Sequence, residues 1–129
     1  MSFSTEAKKT LRSFHCVTLT EGWAKRLRPL IGPSHVISNP VDPKIQPSSK
    51  REDFVLLLGR PDEVKGHEFA YSLRLPRLVV TGRDDGPEHV QTLGWISEER
   101  KRMLLSTAKA LIVPSEFEGQ PLVVLEALA

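Results

Sequence analysis

The sequence predicts an α/β fold built on a parallel sheet, and three observations predict it. Phe54-Val55-Leu56-Leu57-Leu58 and Leu78-Val79-Val80 are continuous apolar runs, the first followed by Gly59 and the second, after Thr81, by Gly82. Runs without polar alternation suit strands covered on both faces, which is the condition of a parallel sheet. A further run, Ala110-Leu111-Ile112-Val113, stops at Pro114. Between the runs lie segments with helical spacing and helix caps, and strands alternating with helices are the pattern of a parallel α/β layer.

The elements follow in order. Ser4 or Thr5 opens a short helix over 5–14, with Ala7, Leu11 and Phe14 at helical spacing. Residues 15–19, which include Cys16, Val17, Thr18 and Leu19, are short and partly β-branched and read as a buried strand. Thr20 caps a second helix to about Ile31, with Trp23, Leu27, Leu30 and Ile31 on one side, and Gly32-Pro33 ends it. Residues 35–38 read as another strand. Asn39 to Arg51 holds Pro40, Pro43 and Pro47 and a Ser48-Ser49-Lys50-Arg51 run, a composition that stiffens a chain but packs no core. Beyond it come the strand at 54–58, a short helix at about 66–74, the strand at 77–82 and an apolar stretch at 90–96. Ser97 caps a helix to about Ala108, with Glu98 and Glu99 at its positive end. The strand at 110–113 follows, and Pro121 opens a last helix to Ala129. That helix is still apolar at Leu125, Ala127, Leu128 and Ala129, which predicts a domain cut short.

Composition bounds the functions. The 129 residues are 40% apolar and 26% charged, the balance of a soluble globular chain with a core. Net charge is only +2, so global charge predicts no nucleic-acid partner. The cations lean toward the first half, at Lys8, Lys9, Arg12, Lys25, Arg26 and Arg28. They read as a solvated helix face or as a surface that meets anionic lipid or an acidic substrate. Cys16 stands alone and reads as a buried, inert thiol in a reducing compartment. No apolar run approaches the ~18 residues of a membrane span, and the first residues lack a secretion signal. Together these predict a cytoplasmic chain with membrane contact at most peripheral.

In parallel sheets ligands bind beyond the carboxyl ends of the strands. That rule selects the loops 59–66, 82–88 and 114–120. In the first, Arg60 follows the strand end directly and Lys65 comes five residues later, between Gly59 and Gly66. A planar guanidinium and a compact ammonium suit phosphate oxygens, and glycines let a backbone approach closely. Both cations also read as ordinary solvated charges paired with Asp62 or Glu63. The glycine spacing is not that of a Walker loop. In the third loop, Glu118 precedes a helix start where the amides of Gly119, Gln120 and Leu122 flank Pro121. Such a start attracts anions and hydroxyl oxygens. Glu126 stands about one and a half turns inside an otherwise apolar helix, and its side chain leans back toward the same start. A dipole partner for Glu118 and an exposed position for Glu126 are the plainer readings.

Four stretches, in order, resemble the retaining glycosyltransferases of family 4, which have the two-domain GT-B architecture. Val36-Ile37-Ser38-Asn39-Pro40-Val41-Asp42 resembles the family's "VIPNGVD". Gly59-Arg60 to Lys65-Gly66 resembles "GR(L)xxxKG". Leu78 to Gly82 followed by Val90 to Trp95 resembles "L-x-I-x-G … V-x-F-L-G". Pro114 to Ala129 resembles "PSxxEGxPxxxLEAMA", with its E-x7-E pair as Glu118 and Glu126. The resemblance covers 36–129 well and 15–31 more weakly. It implies a parallel Rossmann-like sheet flanked by helices, the incomplete C-terminal half of a GT-B fold. Residues 1–35 would be a remnant of the acceptor domain, 36–52 an interdomain linker and 53–129 the donor-binding domain.

The resemblance also implies roles. Arg60 and Lys65 would hold the donor diphosphate and stabilise the leaving group, and with Glu118, facing the donor sugar, they would form the catalytic set. Amides near Gly119, Gln120, Pro121 and Leu122 would bind sugar hydroxyls or phosphate, and Glu126 the ribose hydroxyls. The donor would be an NDP-sugar, used without cofactor or metal; His15, His35, His67 and His89 show no ligand spacing. The acceptor, a sugar, lipid-linked sugar or small molecule, is not identified. Pro40 departs from the family's glycine, Gln120-Pro121 from the "FG" of some members, and Gly66 to Arg77 is short. The acceptor domain's glycine-rich loop and active-site histidine are missing, so turnover by this chain alone is not expected. A non-catalytic nucleotide-sugar-binding or interaction module is the alternative. A sugar-nucleotide epimerase of the same architecture is disfavoured by the Glu118/Glu126 pair.

Overall fold

The computed structural model describes residues 3–41 and 48–129. Pro43 and Pro47 of the expected linker lie outside the described residues. The chain divides into two compact units, Met1–Pro40 and Val41–Ala129.

The first unit contains the helix α1 (Thr5–Arg12), the strand β1 (Cys16–Thr18), the helix α2 (Glu21–Ile31) and the strand β2 (Ser34–Val36). The two strands pair in parallel, Val17 opposite His35. Ser4 caps α1 by accepting from the Ala7 amide, and Thr20 caps α2 by accepting from the Trp23 amide. Arg12 donates to the Pro29 carbonyl at 2.8 Å and so ties α1 to α2. Burial differs from expectation here. Val17 is 57% exposed and Cys16 half-buried, so β1 is not the buried strand its composition suggests. A two-stranded sheet with helices this short has too few layers to cover it.

The second unit is α/β, a parallel four-stranded sheet flanked by helices. Its strands are β3 (Glu52–Leu57), β4 (Leu78–Val80), β5 (Val90–Thr92) and β6 (Ala108–Leu111). Their spatial order is β5-β4-β3-β6, all parallel. The helices are α3 (His67–Ser72), α4 (Glu98–Thr107) and α5 (Leu122–Leu128). Alternate residues of β3 enter opposite faces. Phe54 and Leu56 join Val79, Leu104, Leu105 and Ala108, with Val123 of α5 packed against them. Leu57 joins Ala70, Tyr71, Leu78, Val80 and Val90 on the α3 side. The runs at β3 and β4 are therefore explained as strands covered on both faces, whereas β6 is an edge strand in which Ala110 is exposed and Leu111 half-buried.

Some bounds shift. β6 starts at Ala108 rather than Ala110, because Glu52 pairs with Ala108 before an irregularity in the register with β3. The expected helix at about 66–74 is present as α3, and an unexpected 3-10 turn, Glu63–Lys65, precedes it, with left-handed Gly66 at φ 69° separating the two. β2 ends at Val36, two residues short of expectation.

Candidate functional site

The sheet order reverses beside β3. From β3 the chain steps outward to β4 and β5, then returns across the sheet to β6 on the other side. Such a switch point leaves a crevice above the carboxyl ends of the neighbouring strands β3 and β6. The loops that follow β3 and β6 flank it, and they meet. The Glu116 amide donates to the Val64 carbonyl at 2.9 Å. A Cβ on Gly66 would collide with the Pro114 carbonyl, so glycine is required there by space as well as by φ. Gly82, at φ 82°, faces the Gly59 carbonyl with the same constraint and closes the β3 and β4 loops together.

This closure brings the predicted charges into register. Lys65, on the 3-10 turn, donates from Nζ to Glu118 Oε1 at 2.7 Å. Both side chains are only 25% exposed, so this pair is less screened than a surface one. The Lys65 ammonium holds the Glu118 carboxyl below its usual range, with a smaller contribution from the Ser115 hydroxyl. Arg60 sits on the same side of the sheet but turns outward. Its side chain is 71% exposed and pairs with Asp62 at 3.1 Å. The plain reading of Arg60, a charge paired with Asp62, therefore describes its contacts in this structure.

Glu126 is not on an exposed helix face. Its side chain is 15% exposed and accepts from Lys101 Nζ at 2.8 Å. Lys101 bonds Glu98 as well, at 2.8 Å. Burial works against its charge, but the bonds to Glu126 and Glu98 outweigh that and raise its pKa. Lys101, Arg60, Glu98, Trp95, Gly59 and Gly82 line one pocket of about 220 Å³ at the strand ends. So the structure joins Lys65 directly to Glu118, and links Glu126 through Lys101 to the pocket that Arg60 lines. It records no bond between Arg60 and either glutamate.

The start of α5 differs slightly from expectation. Pro121 is the residue flanking the helix, at ψ 120°, and Leu122 is the first helical residue. The Pro121 carbonyl accepts from the Val124 and Leu125 amides. Gly119 is exposed and Gln120 half-buried, and each has an interaction partner. A larger groove of about 780 Å³ opens at the other end of the sheet, along Lys50 to Phe54, Arg77 to Val79 and Glu88 to Gln91. It touches the strand starts, away from the switch point.

Sequence reasoning missed Lys101 and Trp95. Lys101 reads as one more charge on a polar helix, and only its spacing from Glu98 hints at a pair. Trp95, 74% exposed in the pocket lining, has no sequence signal beyond being an aromatic after a strand.

Residues 84–129 match the family model for glycosyl transferases, group 1. The matched stretch holds β5, α4, β6 and α5 and thus includes Lys101, Glu118 and Glu126. Arg60 and Lys65 lie before it. None of the curated proteins matches the chain. No helix among the described residues is long and apolar enough to cross a membrane.

Proposed function

We propose that this chain supplies the nucleotide-sugar donor site of a retaining glycosyltransferase of family 4, in the donor-binding half of a GT-B enzyme. The observation that carries the reading is the Lys65–Glu118 contact across the switch point, with Glu118 inside the stretch that matches the group 1 family model. In this reading residues 1–35 belong to an acceptor domain and 53–129 to the donor domain. The reaction moves a sugar from an NDP-sugar to an acceptor in the cytoplasm, without cofactor or metal.

The site residues suit that chemistry. An ammonium has three donors, so Lys65 can keep Glu118 and still serve a phosphate oxygen. Arg60 spends one bond on Asp62 and has further donors in its fork for a diphosphate. When the bond between the anomeric carbon and the diphosphate breaks, its electron pair goes to a phosphate oxygen. Lys65, held by Glu118, and Arg60, once turned in from solvent, stabilise the charge that develops there. Glu118, kept ionised by Lys65, faces the sugar as a hydroxyl acceptor and a counter-charge to a cationic anomeric centre. Gly119, Gln120, Pro121 and Leu122 shape the backbone around the sugar and phosphate. Glu126 takes the ribose hydroxyls.

Calorimetric titration of the full chain with UDP and with GDP tests this. One of them binds, and Arg60→Ala with Lys65→Ala weakens it by at least tenfold, since charge-assisted bonds contribute about 1.5–3 kcal/mol each. A folded sample that takes up neither nucleotide overturns the reading.

A further inference from the structure

Glu126 is the least exposed of the ion-paired carboxylates described here, at 15%, against 25% for Glu118 and 39% for Asp62. A carboxylate so placed needs a fixed counter-charge, because losing one partner of a buried pair strands the other. Lys101 is that counter-charge. Its stem runs from the second turn of α4 to α5, and its ammonium is itself held between Glu98 and Glu126. It bonds Oε1 of Glu126 and lines the pocket at the strand ends.

Two neighbouring hydroxyls on a sugar ring are best recognised by a carboxylate held in one orientation. A carboxylate offers about four lone-pair sites, so a bond to one ammonium leaves capacity for hydroxyl donors. The orientation of Glu126 is set from one side by the α5 backbone and from the other by Lys101. We infer that Lys101 is the positioning residue for Glu126, fixing the carboxylate that reads the ribose hydroxyls of a nucleoside diphosphate and so setting the preference for ribose over deoxyribose. This rests on the donor-site reading above. A lysine that only clamps α4 to α5 would affect stability and leave that preference alone.

The test compares UDP and GDP with their 2′-deoxy forms by calorimetry on the full chain. The wild type binds the ribose form of its preferred nucleotide about tenfold or more tightly than the deoxy form, as expected for hydroxyls bonded to a charged group. Lys101→Met brings the ratio close to one, and Lys101→Arg, which restores a cation, restores most of it. Lys109→Met, a change at the exposed pair with Asp53, leaves the ratio unchanged. If Lys101→Met does not fold, Lys101→Gln is titrated in its place, since its amide keeps a donor without the charge. A folded Lys101 variant with the full ratio overturns this inference and leaves the donor site standing. Equal binding of ribose and deoxy forms by the wild type overturns the inference together with the ribose role of Glu126, and leaves the diphosphate and sugar roles of the donor site standing. A wild type that binds neither nucleotide overturns both readings together.

Discussion

The two units of this chain carry similar patterning and reach different ends. In the first, Ala7 and Leu11 of α1 and Trp23, Leu27 and Leu30 of α2 fall on the predicted faces, yet all are only half-buried. Thr18 is its one buried residue among those described, and Phe3, Phe14, Val17 and Ile37 are exposed. In the second, Leu56, Leu57, Leu78 and Val80 are almost fully enclosed. The difference is not hydrophobicity, since both units offer apolar runs. It is the number of layers. A four-stranded sheet with helices on both faces closes two cores, whereas two short strands and two helices bury only Thr18 among the described residues. Patterning thus says which face turns inward, and the layer count says how far inward it goes.

The comparison breaks or holds most sharply at the strand centres. Leu56→Ala, in the middle of β3, costs about 2–5 kcal/mol, because a fully enclosed leucine leaves a cavity behind it. Val17→Ala in β1 stays within about 0.5 kcal/mol, as is usual for exposed positions. Urea unfolding followed by circular dichroism measures both. Equal losses at the two positions would mean that the first unit has a core as tight as the second.

The same contrast explains what could be read in advance. β3 and β4 were legible because their continuous apolar runs admit no solvent face. The strand order was not, since a sheet that steps outward and then returns is a matter of which edges remain open. The 3-10 turn at Glu63–Lys65 was illegible for a different reason. Its residues have no periodicity, and its geometry depends on Gly66 at φ 69°, a state that glycine permits without requiring. The charges divide likewise. Arg60, Lys65, Glu118 and Glu126 were legible as members of recurring stretches. Lys101 was not, because its partner Glu126 lies 25 residues onward and only the packing of α4 beside α5 brings them together. β1 was legible as a strand and misread as buried, because β-branched residues suit a pleated, half-buried surface and do not themselves supply the cover.

Helix caps give a smaller effect. Thr20 and Ser97 do the same chemistry in the two units, each accepting a backbone amide three residues on, from Trp23 and from Arg100. Each alanine substitution costs about 1 kcal/mol of local helix stability. The consequences separate. α4 is anchored by the buried Leu104 and Leu105, whereas α2 buries none of its residues. Hydrogen exchange is expected to show Thr20→Ala loosening α2 along its length, and Ser97→Ala loosening only the first turn of α4. Fraying confined to the first turn in both helices would contradict the contrast.

The smallest effect concerns pH, and it again sets an enclosed residue against an open one. His67 at the start of α3 is 3% exposed, and neither ring nitrogen makes a hydrogen bond of good geometry. His35 on β2 is exposed. Burial lowers the His67 pKa from 6.5; the Thr81 backbone pushes back toward the charged form, Arg83 adds to the lowering, and Asp62 and Glu68 oppose it weakly. Tyr71 meets the ring edge-on at 6.4 Å between centroids and adds no charge at neutral pH. A histidine whose folded pKa is depressed binds its proton more readily in the unfolded chain. Its contribution is therefore complete above about pH 6.5 and is lost as pH falls through the lower, folded value. Glu118, also depressed, follows the same sign in a separate window below 4.5. Melting temperature between pH 7 and pH 5 should accordingly decline in the wild type and decline less in His67→Leu. The same slope in both proteins would mean that the ring finds a proton acceptor on folding, and that the α3 face is less closed than Leu57, Ala70 and Val80 make it.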